Sequence, residues 1–381
     1  MRHADKQTLL ATSRQLRQHV LDCLEHIDQS REQVPHLEIL NPPLWELGHI
    51  GWFHEFWCLR DGDFTQASTL PGADDLFNST DVIHARRWTL PLHSMQATRA
   101  YLSRVFDLAA ERLDQCDGSE QAMYFHRLSH FHEAMHLEAF CYSWQTVGYP
   151  RPSMLAPIPL LKSKAVDIEI AACSVRLGSD PSDGFCFDNE KWGLDCAIEA
   201  FRIADQPVTN REFADFVRDG GYTNPHIWDE LFWRRLQAQG RTLPLYWIEH
   251  GSGFMKRHFD QISDLEPDAP MLNLSAFEAE AYCRWADRRL PTETQWIAAA
   301  ADPRCQWGGL GWEWTASRFE PLPGFSPDPY KEYSEPWFYT HRVVRGGSFA
   351  TPPQLTDIRF RNFYQPWRAD PFFGFRTCPV S

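Results

Sequence analysis

The feature that most constrains the fold of this chain is an abrupt change of sequence pattern near residue 150. Before it, apolar residues recur at helical spacing in four segments, residues 6–27, 44–59, 94–113 and 120–147. After it, a proline-rich stretch, residues 150–159, leads into short segments that Gly, Pro and Asp interrupt. The sequence therefore predicts two domains, one over residues 1–150 and another over residues 151–381.

The two halves predict different architectures within one α+β chain. Four helices joined by one long loop, residues 61–91, are typical of a four-helix bundle. In the second half, residues 168–177 alternate like a strand and residues 343–349 resemble a buried strand, whereas residues 210–219 and 275–288 have helical spacing. Because these segments are short and rich in Trp and Phe, we expect a loop-rich α+β domain after the bundle.

Charge and hydropathy exclude several classes of function. The chain carries 37 basic and 51 acidic residues, a net charge of −14, which does not suit binding to a nucleic-acid backbone. It has no apolar run of the length that a membrane span needs, and its N-terminus lacks the apolar stretch of a signal peptide. Its ten cysteines form no Cys-x-x-Cys pair. We therefore predict a cytoplasmic protein that binds neither nucleic acid nor membrane.

The most specific chemical signal is a histidine pair on the fourth helical segment. His132 and His136 are four residues apart, so they share one helix face and can bind one metal ion together. Glu138 lies about 200° around the helix from His136, so it cannot join both histidines. We therefore expect Glu138 to support the site or pack in the bundle, and a third ligand to come from another helix.

The second helical segment offers that third ligand. His49 is flanked by Gly48 and Gly51, which allow another helix or a ligand to approach closely. His54 is either a core residue or an alternative third ligand. Three neutral imidazoles would leave positions open for a substrate and O₂, and imidazole suits zinc and iron alike.

A second cluster lies near the C-terminus, where arginines alternate with aromatic residues over residues 361–368 and 372–376. Such a surface could enclose a quaternary ammonium group while an arginine pairs with a carboxylate. The same aromatic residues could instead form the core of a domain with little regular structure. The sequence leaves both interpretations open for any single aromatic residue.

These residues resemble a known enzyme family. The pattern of His49, His132, His136 and Glu138 resembles the DinB-like domain of the non-haem iron sulfoxide synthases of ergothioneine biosynthesis. The second half resembles the formylglycine-generating-enzyme (sulfatase-modifying) fold. Its matching segments follow the family order: residues 207–213, 220–222, 281–285, 289–293, 312–315, 345–349 and 374–376. Residues 346–361 lack the cysteine of formylglycine-generating enzymes, which argues against a copper-dithiolate oxidase.

The resemblance implies Fe(II) as cofactor, O₂ as co-substrate and hercynine, Nα-trimethylhistidine, as substrate. It places the iron on His49, His132 and His136. It also implies that Asn362 and Phe363 lie against hercynine, and we add Tyr364 and Arg368 from the same segment as substrate-binding residues. The family uses a tyrosine of its second domain as a proton donor, and Tyr330 and Tyr333 are the candidates here.

The segment that binds the sulfur donor in ergothioneine synthases differs in this chain. Residues 79–92 contain only two arginines, Arg86 and Arg87, followed by Trp88, and Tyr364 replaces an acidic residue of some members. An acidic peptide such as γ-glutamylcysteine is poorly matched by these residues, whereas a neutral sugar is well matched. The chain therefore resembles the selenoneine synthase branch, in which a selenosugar supplies selenium and a C–Se bond forms.

Three alternatives remain at this point. Within the family, the chain could form the C–S bond of ergothioneine from cysteine or γ-glutamylcysteine. It could be a thiol-S-transferase or a DinB-like binding protein that holds zinc and oxidises nothing. It could also be a carbohydrate-binding module that uses its Trp-rich second domain.

Overall fold

The computed structural model describes residues 1–25, 27 and 34–380. The chain folds into two compact units. The first unit combines the N-terminal region with two later segments: Met1–Val147, Pro152–Met154 and Ser182–Cys186. The second unit contains the remainder: Gly148–Arg151, Leu155–Pro181 and the chain from Phe187 onward. The predicted domain boundary at residue 150 stays a prediction.

The first unit is helical. Its helices are α1 (Lys6–Cys23), α2 (Pro43–His54), α3 (Ala73–Phe77), α4 (Met95–Gln115) and α5 (Glu120–Val147). Helix α1 packs on α5, and α2 packs on both α4 and α5. The helices α1 and α4 begin with side-chain caps, in which Asp5 accepts from the Thr8 amide and Ser94 accepts from the Ala97 amide. Four long helices form, as predicted, because each carries an apolar face that packing buries.

Three local features differ from the sequence prediction. Helix α1 ends at Cys23 and not at residue 27, because the Leu24 amide bonds back to Leu21 and tightens the last turn. The second predicted helix is α-helical only to His54 and continues as a π-helical turn over Glu55–Leu59. The predicted long loop contains α3 and a 3₁₀ turn, His84–Trp88.

In the described residues of the second unit, four α-helices and thirteen short strands form. The helices are α6 (Asn210–Arg218), α7 (Glu230–Ala238), α8 (Ala276–Trp285) and α9 (Glu293–Ala300). The strands of the first half are β1 (Asp167–Ile170), β2 (Cys173–Leu177), β3 (Leu194–Ile198), β4 (Phe201–Ala204), β5 (Trp247–His250), β6 (Gly253–His258) and β7 (Gln261–Asp264). The remaining strands are β8 (Arg288–Arg289), β9 (Trp312–Arg318), β10 (Arg342–Arg345), β11 (Asn362–Tyr364), β12 (Phe373–Gly374) and β13 (Cys378–Pro379).

The strands form five small sheets within this unit. Three are two-stranded (β1–β4, β2–β3 and β8–β13), one has the order β5–β6–β7, and one has the order β11–β10–β9–β12. The segment predicted as a single strand over residues 168–177 is split, because β1 pairs with β4 while β2 pairs with β3. The mixed α+β class is confirmed.

Buried ion pairs hold the second unit where regular structure is sparse. Arg376 forms a pair with Glu313, and Arg345 and Arg361 both bond to Glu293. All five side chains are at most 5% exposed. Because each charge has a partner, this polar core avoids the cost of an isolated buried ion.

None of the helices in the described part of the chain is at once long enough and apolar enough to cross a bilayer.

Candidate metal centre

Helices α2 and α5 bring three predicted metal ligands together. His132 and His136 lie one turn apart on α5, and His49 reaches them from α2. Nitrogen atoms of the three rings all lie within 4.8 Å of one another. His49 and His132 are buried, while the side chain of His136 is 17% exposed and is the most accessible of the three.

Hydrogen bonds donated by Nδ1 orient two of the three rings. Nδ1 of His49 lies 2.8 Å from the carbonyl oxygen of Phe77, and Nδ1 of His136 lies 2.7 Å from Oε1 of Glu46. Both partners are acceptors, so each Nδ1 carries the proton and donates it. Each Nε2 therefore presents its lone pair, which is the form that binds a metal.

Burial keeps two of these imidazoles neutral. It lowers the pKa of His49 well below its ordinary value of 6.5, and repulsion from the neighbouring His136 when that ring is protonated lowers it further. Burial lowers the pKa of His132 in the same way, and repulsion from protonated His136 or His49 would add to it. Because a metal ion binds the unprotonated ring, a site that disfavours protonation is already prepared for a cation.

The spacing of the nitrogens suits a metal ion. Nε2 of His132 and Nε2 of His136 lie 3.3 Å apart. Two nitrogens bound to one cation at about 2.0–2.1 Å are separated by about 2.9–3.4 Å for angles between octahedral and tetrahedral. The residues therefore fit a metal held by three imidazoles, and this ligand set does not by itself select iron over zinc.

Aromatic rings enclose the centre. Phe53 stacks on His132 with ring centroids 3.5 Å apart, and Trp45 stacks on His49 at 5.0 Å. The guanidinium of Arg87 lies 3.8 Å from the centre of the Trp45 ring. These contacts fix the planes of the imidazoles and exclude water from their faces.

His54 lies in a different hydrogen-bond network. Its Nε2 is 2.9 Å from Oε2 of Glu133, and Arg17 bonds to the same carboxylate from α1. Burial would raise the pKa of Glu133, but the Arg17 charge and the hydrogen bonds from Arg17 and His54 hold it well below its ordinary value. Among the described residues His54 is outside the three-histidine group, and so is Glu138, which is buried.

The predicted donor-binding residues lie in the 3₁₀ turn of the first unit. Arg86 is exposed. Arg87 donates to Oδ1 of Asn41 at 2.7 Å and also stacks on the Trp45 indole. Trp88 donates from Nε1 to the carbonyl of Val34 at 2.9 Å and packs against His36. The turn thus holds one arginine and the tryptophan against the unit and leaves the other arginine in solvent.

The predicted residues of the second unit gather around one aromatic group. Phe363, on β11, stacks on Phe319 with centroids 3.9 Å apart and lies edge-on to Tyr333 at 5.9 Å. The ring centroids of Tyr330 and Tyr333 are 6.1 Å apart. Oδ1 of Asn362, on the same strand, accepts a hydrogen bond from the backbone amide of Phe363.

The other two predicted residues of this segment, Tyr364 and Arg368, are half-buried. Arg368 forms an ion pair with Asp370 at 2.6 Å, and its guanidinium lies 5.6 Å from the ring centre of Tyr364. A substrate carboxylate would therefore share this arginine with Asp370.

Two residues of the metal centre were not predicted from the sequence. Glu46 and the backbone of Phe77 hold the rings of His136 and His49. Glu46 precedes His49 by three residues on α2, so helical spacing alone could have placed its carboxylate near the site. No local pattern could have identified Phe77, because it acts through a backbone carbonyl.

The chain is similar to known proteins along most of its length. The profile of the Sulfatase-modifying factor enzyme 1-like domain matches residues 166–309 and 304–379. Hercynine oxygenase of Mycobacterium tuberculosis is 33% identical over 89% of this chain and 91% of its own length. Hercynine oxygenase of Mycolicibacterium smegmatis is 32% identical over the same shares. Ergothioneine biosynthesis protein 1 of Schizosaccharomyces pombe is 24% identical over 58% of this chain and 31% of its own length.

Proposed function

The chain belongs to the hercynine oxygenase family of oxidoreductases, and on that premise we propose that it uses Fe(II) and O₂ to join selenium to C2 of the hercynine imidazole. A selenosugar supplies the selenium. One O₂ balances the coupling: the hydrogens of C2–H and Se–H leave as water, and the second oxygen atom stays on selenium as a selenoxide. The three-histidine centre is the observation that carries this proposal.

The residues of the first unit prepare that centre for Fe(II). When bound, Fe(II) supplies the redox chemistry by which O₂ oxidises an organic substrate. Glu46 and Phe77 keep Nδ1 protonated on His136 and His49, so both rings direct Nε2 toward the cation. Phe53 and Trp45 cover the faces of two rings and limit water at the site.

Hercynine carries a trimethylammonium group, a carboxylate and an imidazole. Aromatic rings attract quaternary ammonium groups, and the group around Phe363 and Tyr333 offers such rings. We assign Asn362 and Phe363 to hercynine on the family resemblance. Tyr333 or Tyr330 serves as the proton donor, since both phenols belong to this group and both are partly accessible.

The donor segment favours a neutral sugar over an acidic peptide. Arg87 is already engaged by Asn41 and Trp45, so it is poorly placed to bind carboxylates of γ-glutamylcysteine. Arg86 then remains as the exposed guanidinium of residues 79–92. A partly buried indole such as that of Trp88 suits the face of a sugar ring. The alternative within the family is C–S bond formation with cysteine or γ-glutamylcysteine.

The experiment that tests the proposal loads the full chain anaerobically with Fe(II) and then admits O₂. We expect O₂ uptake that requires both hercynine and a 1-selenosugar, with a C–Se product of the corresponding mass. Faster product formation from γ-glutamylcysteine would instead establish the sulfur reaction. Tight zinc binding without O₂ uptake under any donor would overturn the oxidase assignment altogether.

The proton-donor assignment is tested by two variants. Tyr333→Phe and Tyr330→Phe each remove one phenol and keep the ring, so hercynine binding should persist in both. We expect one of them to slow product formation without changing the Fe(II) content. Full activity in both variants would show that neither phenol transfers a proton.

A further inference from the structure

The second unit contains a partly open cavity that the proposed reaction does not use. Its volume is about 450 Å³, within the range of small-molecule sites. Strands β6 and β7 contribute to its lining, and so does the proline-rich segment from Leu155 to Leu160. The Leu161 amide donates to the carbonyl of Asp268 at 2.8 Å and holds that segment in place.

The sheet side of the cavity is polar. Lys256 and His258 are two residues apart on β6, so their side chains leave the same face of the sheet. Ser263 on β7 is the direct partner of Lys256 in the antiparallel register and shares that face. All three residues line the cavity.

Lys256 brings a positive charge that lacks a carboxylate partner. Its ammonium donates to the carbonyl of Leu272 at 3.3 Å, and none of the described carboxylates forms an ion pair with it. Burial lowers its pKa to about 8, so it is largely protonated at neutral pH. Burial, with the charges of Lys256 and Arg151, lowers the pKa of His258 to about 4, so this ring is neutral.

Asn210 lines the same cavity and carries a buried acceptor. Its Nδ2 donates to the carbonyl of Glu266 at 2.8 Å, which sets the orientation of the amide. Its Oδ1 is buried and has no hydrogen-bond partner among the residues that the structure describes. The residue is 3% exposed, so bulk water does not solvate this oxygen. Buried acceptors of this kind are ordinarily satisfied, and a bound donor would satisfy this one.

Most of the remaining lining is aliphatic and includes Leu155, Ile158, Leu265 and Leu272. Arg151 also lines the cavity, and its guanidinium donates to the carbonyls of Leu155 and Ala156. Two exposed carboxylates, Asp264 and Glu266, also line the cavity. They would repel a ligand that carries a second negative charge. We propose that the cavity binds a small hydroxylated aliphatic monocarboxylate. Its carboxylate pairs with Lys256, its hydroxyl donates to Oδ1 of Asn210, and its hydrocarbon body lies against the leucines.

Calorimetry on the full chain tests this site with four six-carbon probes. We expect 3-hydroxyhexanoate to bind more tightly than hexanoate, because its hydroxyl adds a hydrogen bond to Asn210. We expect 1-hexanol and hexylamine to bind at least about tenfold more weakly than hexanoate, because neither carries a carboxylate to accept a hydrogen bond from the Lys256 ammonium. Equal affinity for hexanoate and hexanol would overturn the role of Lys256. Equal affinity for hexanoate and its 3-hydroxy form would overturn the role of Asn210.

Variants separate the charge from general effects. Lys256→Met should lower hexanoate affinity about tenfold or more, and Lys256→Arg should restore part of it. Lys164→Met makes the same change at an exposed lysine and should leave binding unchanged.

A labelling experiment needs no variant. In the unmodified chain, 3-hydroxyhexanoate should slow reductive methylation of Lys256 and hexanol should not, as read by peptide mass spectrometry. Unprotected labelling would contradict the proposal. None of these readouts involves Fe(II), hercynine or O₂, so they are independent of the proposed oxidase activity.

Discussion

Oε1 of Glu46 on α2 accepts a hydrogen bond of 2.7 Å from Nδ1 of His136 on α5. This contact joins the two helices that carry the metal ligands, and both of its groups are largely shielded from water. A carboxylate behind an imidazole fixes the tautomer and makes the other nitrogen a stronger ligand. The ligand from α5 thus depends on a residue of α2.

Glu46→Gln should weaken metal binding without removing a ligand. An amide can still accept the hydrogen bond, but it lacks the negative charge that strengthens the imidazole. We expect metal affinity to fall about 10- to 100-fold, measured by competition with a chelator for Fe(II) or Co(II). Glu111→Gln makes the same change at an exposed position of α4 and should bind metal normally. Unchanged affinity in Glu46→Gln would show that the carboxylate plays no part.

His49→Ala and His54→Ala should differ in metal content. His49→Ala removes one of the three clustered nitrogens, so we expect the metal content to fall sharply. It also removes the buried hydrogen bond to the Phe77 carbonyl, so a loss of stability should accompany the loss of metal. His54→Ala leaves all three but removes a buried hydrogen bond to Glu133, which should cost about 1–3 kcal/mol of unfolding free energy. Metal analysis and urea unfolding measure the two quantities. Metal loss in His54→Ala alone would make His54 the third ligand.

Gly48→Ala should disturb the centre through packing. An added Cβ would lie 2.2 Å from Cε1 of Phe77, a ring that is 1% exposed and cannot easily move. The same residue holds His49 through its carbonyl, so a shift would also misplace that ligand. We expect a loss of about 1–3 kcal/mol in stability, together with weaker metal binding.

The control for this substitution is Gly253→Ala, where the nearest atom would be 3.9 Å away. It should leave both stability and metal affinity close to those of the unmodified chain. Adding Phe77→Leu to Gly48→Ala makes room for the methyl group and should recover part of the lost metal affinity. Full metal affinity in Gly48→Ala alone would contradict the packing argument.

Acid should weaken the second unit through Glu293. Burial would raise the pKa of its carboxyl, but the charges of Arg361 and Arg345 lower it from 4.5 to about 2. Because the folded-state pKa lies below the unfolded one, the stabilisation is complete above about pH 5 and is lost as the pH falls toward 2. Its size is on the order of 3 kcal/mol.

Glu293→Gln tests this pH dependence. The variant leaves Arg345 and Arg361 without a counter-charge, so it should be less stable than the unmodified chain by about 3–5 kcal/mol at pH 7. The gap should narrow as the pH falls, because the unmodified carboxyl becomes protonated as well. Urea unfolding across pH 3–7 measures this difference in unfolding free energy. Glu199→Gln, at an exposed position, is the control. A gap that is constant with pH would rule out this ionisation.

Much of the first unit could be predicted because its signals are local. Helical spacing of apolar residues identified the four long helices, and the spacing of His132 and His136 put both on one face. The π-helical turn at Glu55–Leu59 was not predicted, because the buried Glu55 carboxylate bonds to Ser68 and Thr69 across a loop. Such contacts leave no periodic trace in the sequence.

The second unit was harder to predict in detail. Helices α7 and α9 were missed, because their apolar residues follow the helical period less clearly than those of α6, a nine-residue helix that was predicted. The two-residue strand β8 exists only because β13 pairs with it from some ninety residues further along the chain. Strands this short depend on their partners and have little preference of their own.

Periodicity and residue chemistry are properties of neighbouring residues, and they were enough to predict the α+β class, the helical pattern of the first half and the His132–His136 pair able to bind one metal. The third ligand depends on packing: of the two candidates on the second helical segment, His49 and not His54 lies beside that pair. Packing likewise places Glu46 against His136 and brings Lys256 and Asn210 to one cavity. These outcomes depend on how separate elements pack, and packing brings together residues whose distance along the chain carries no signal.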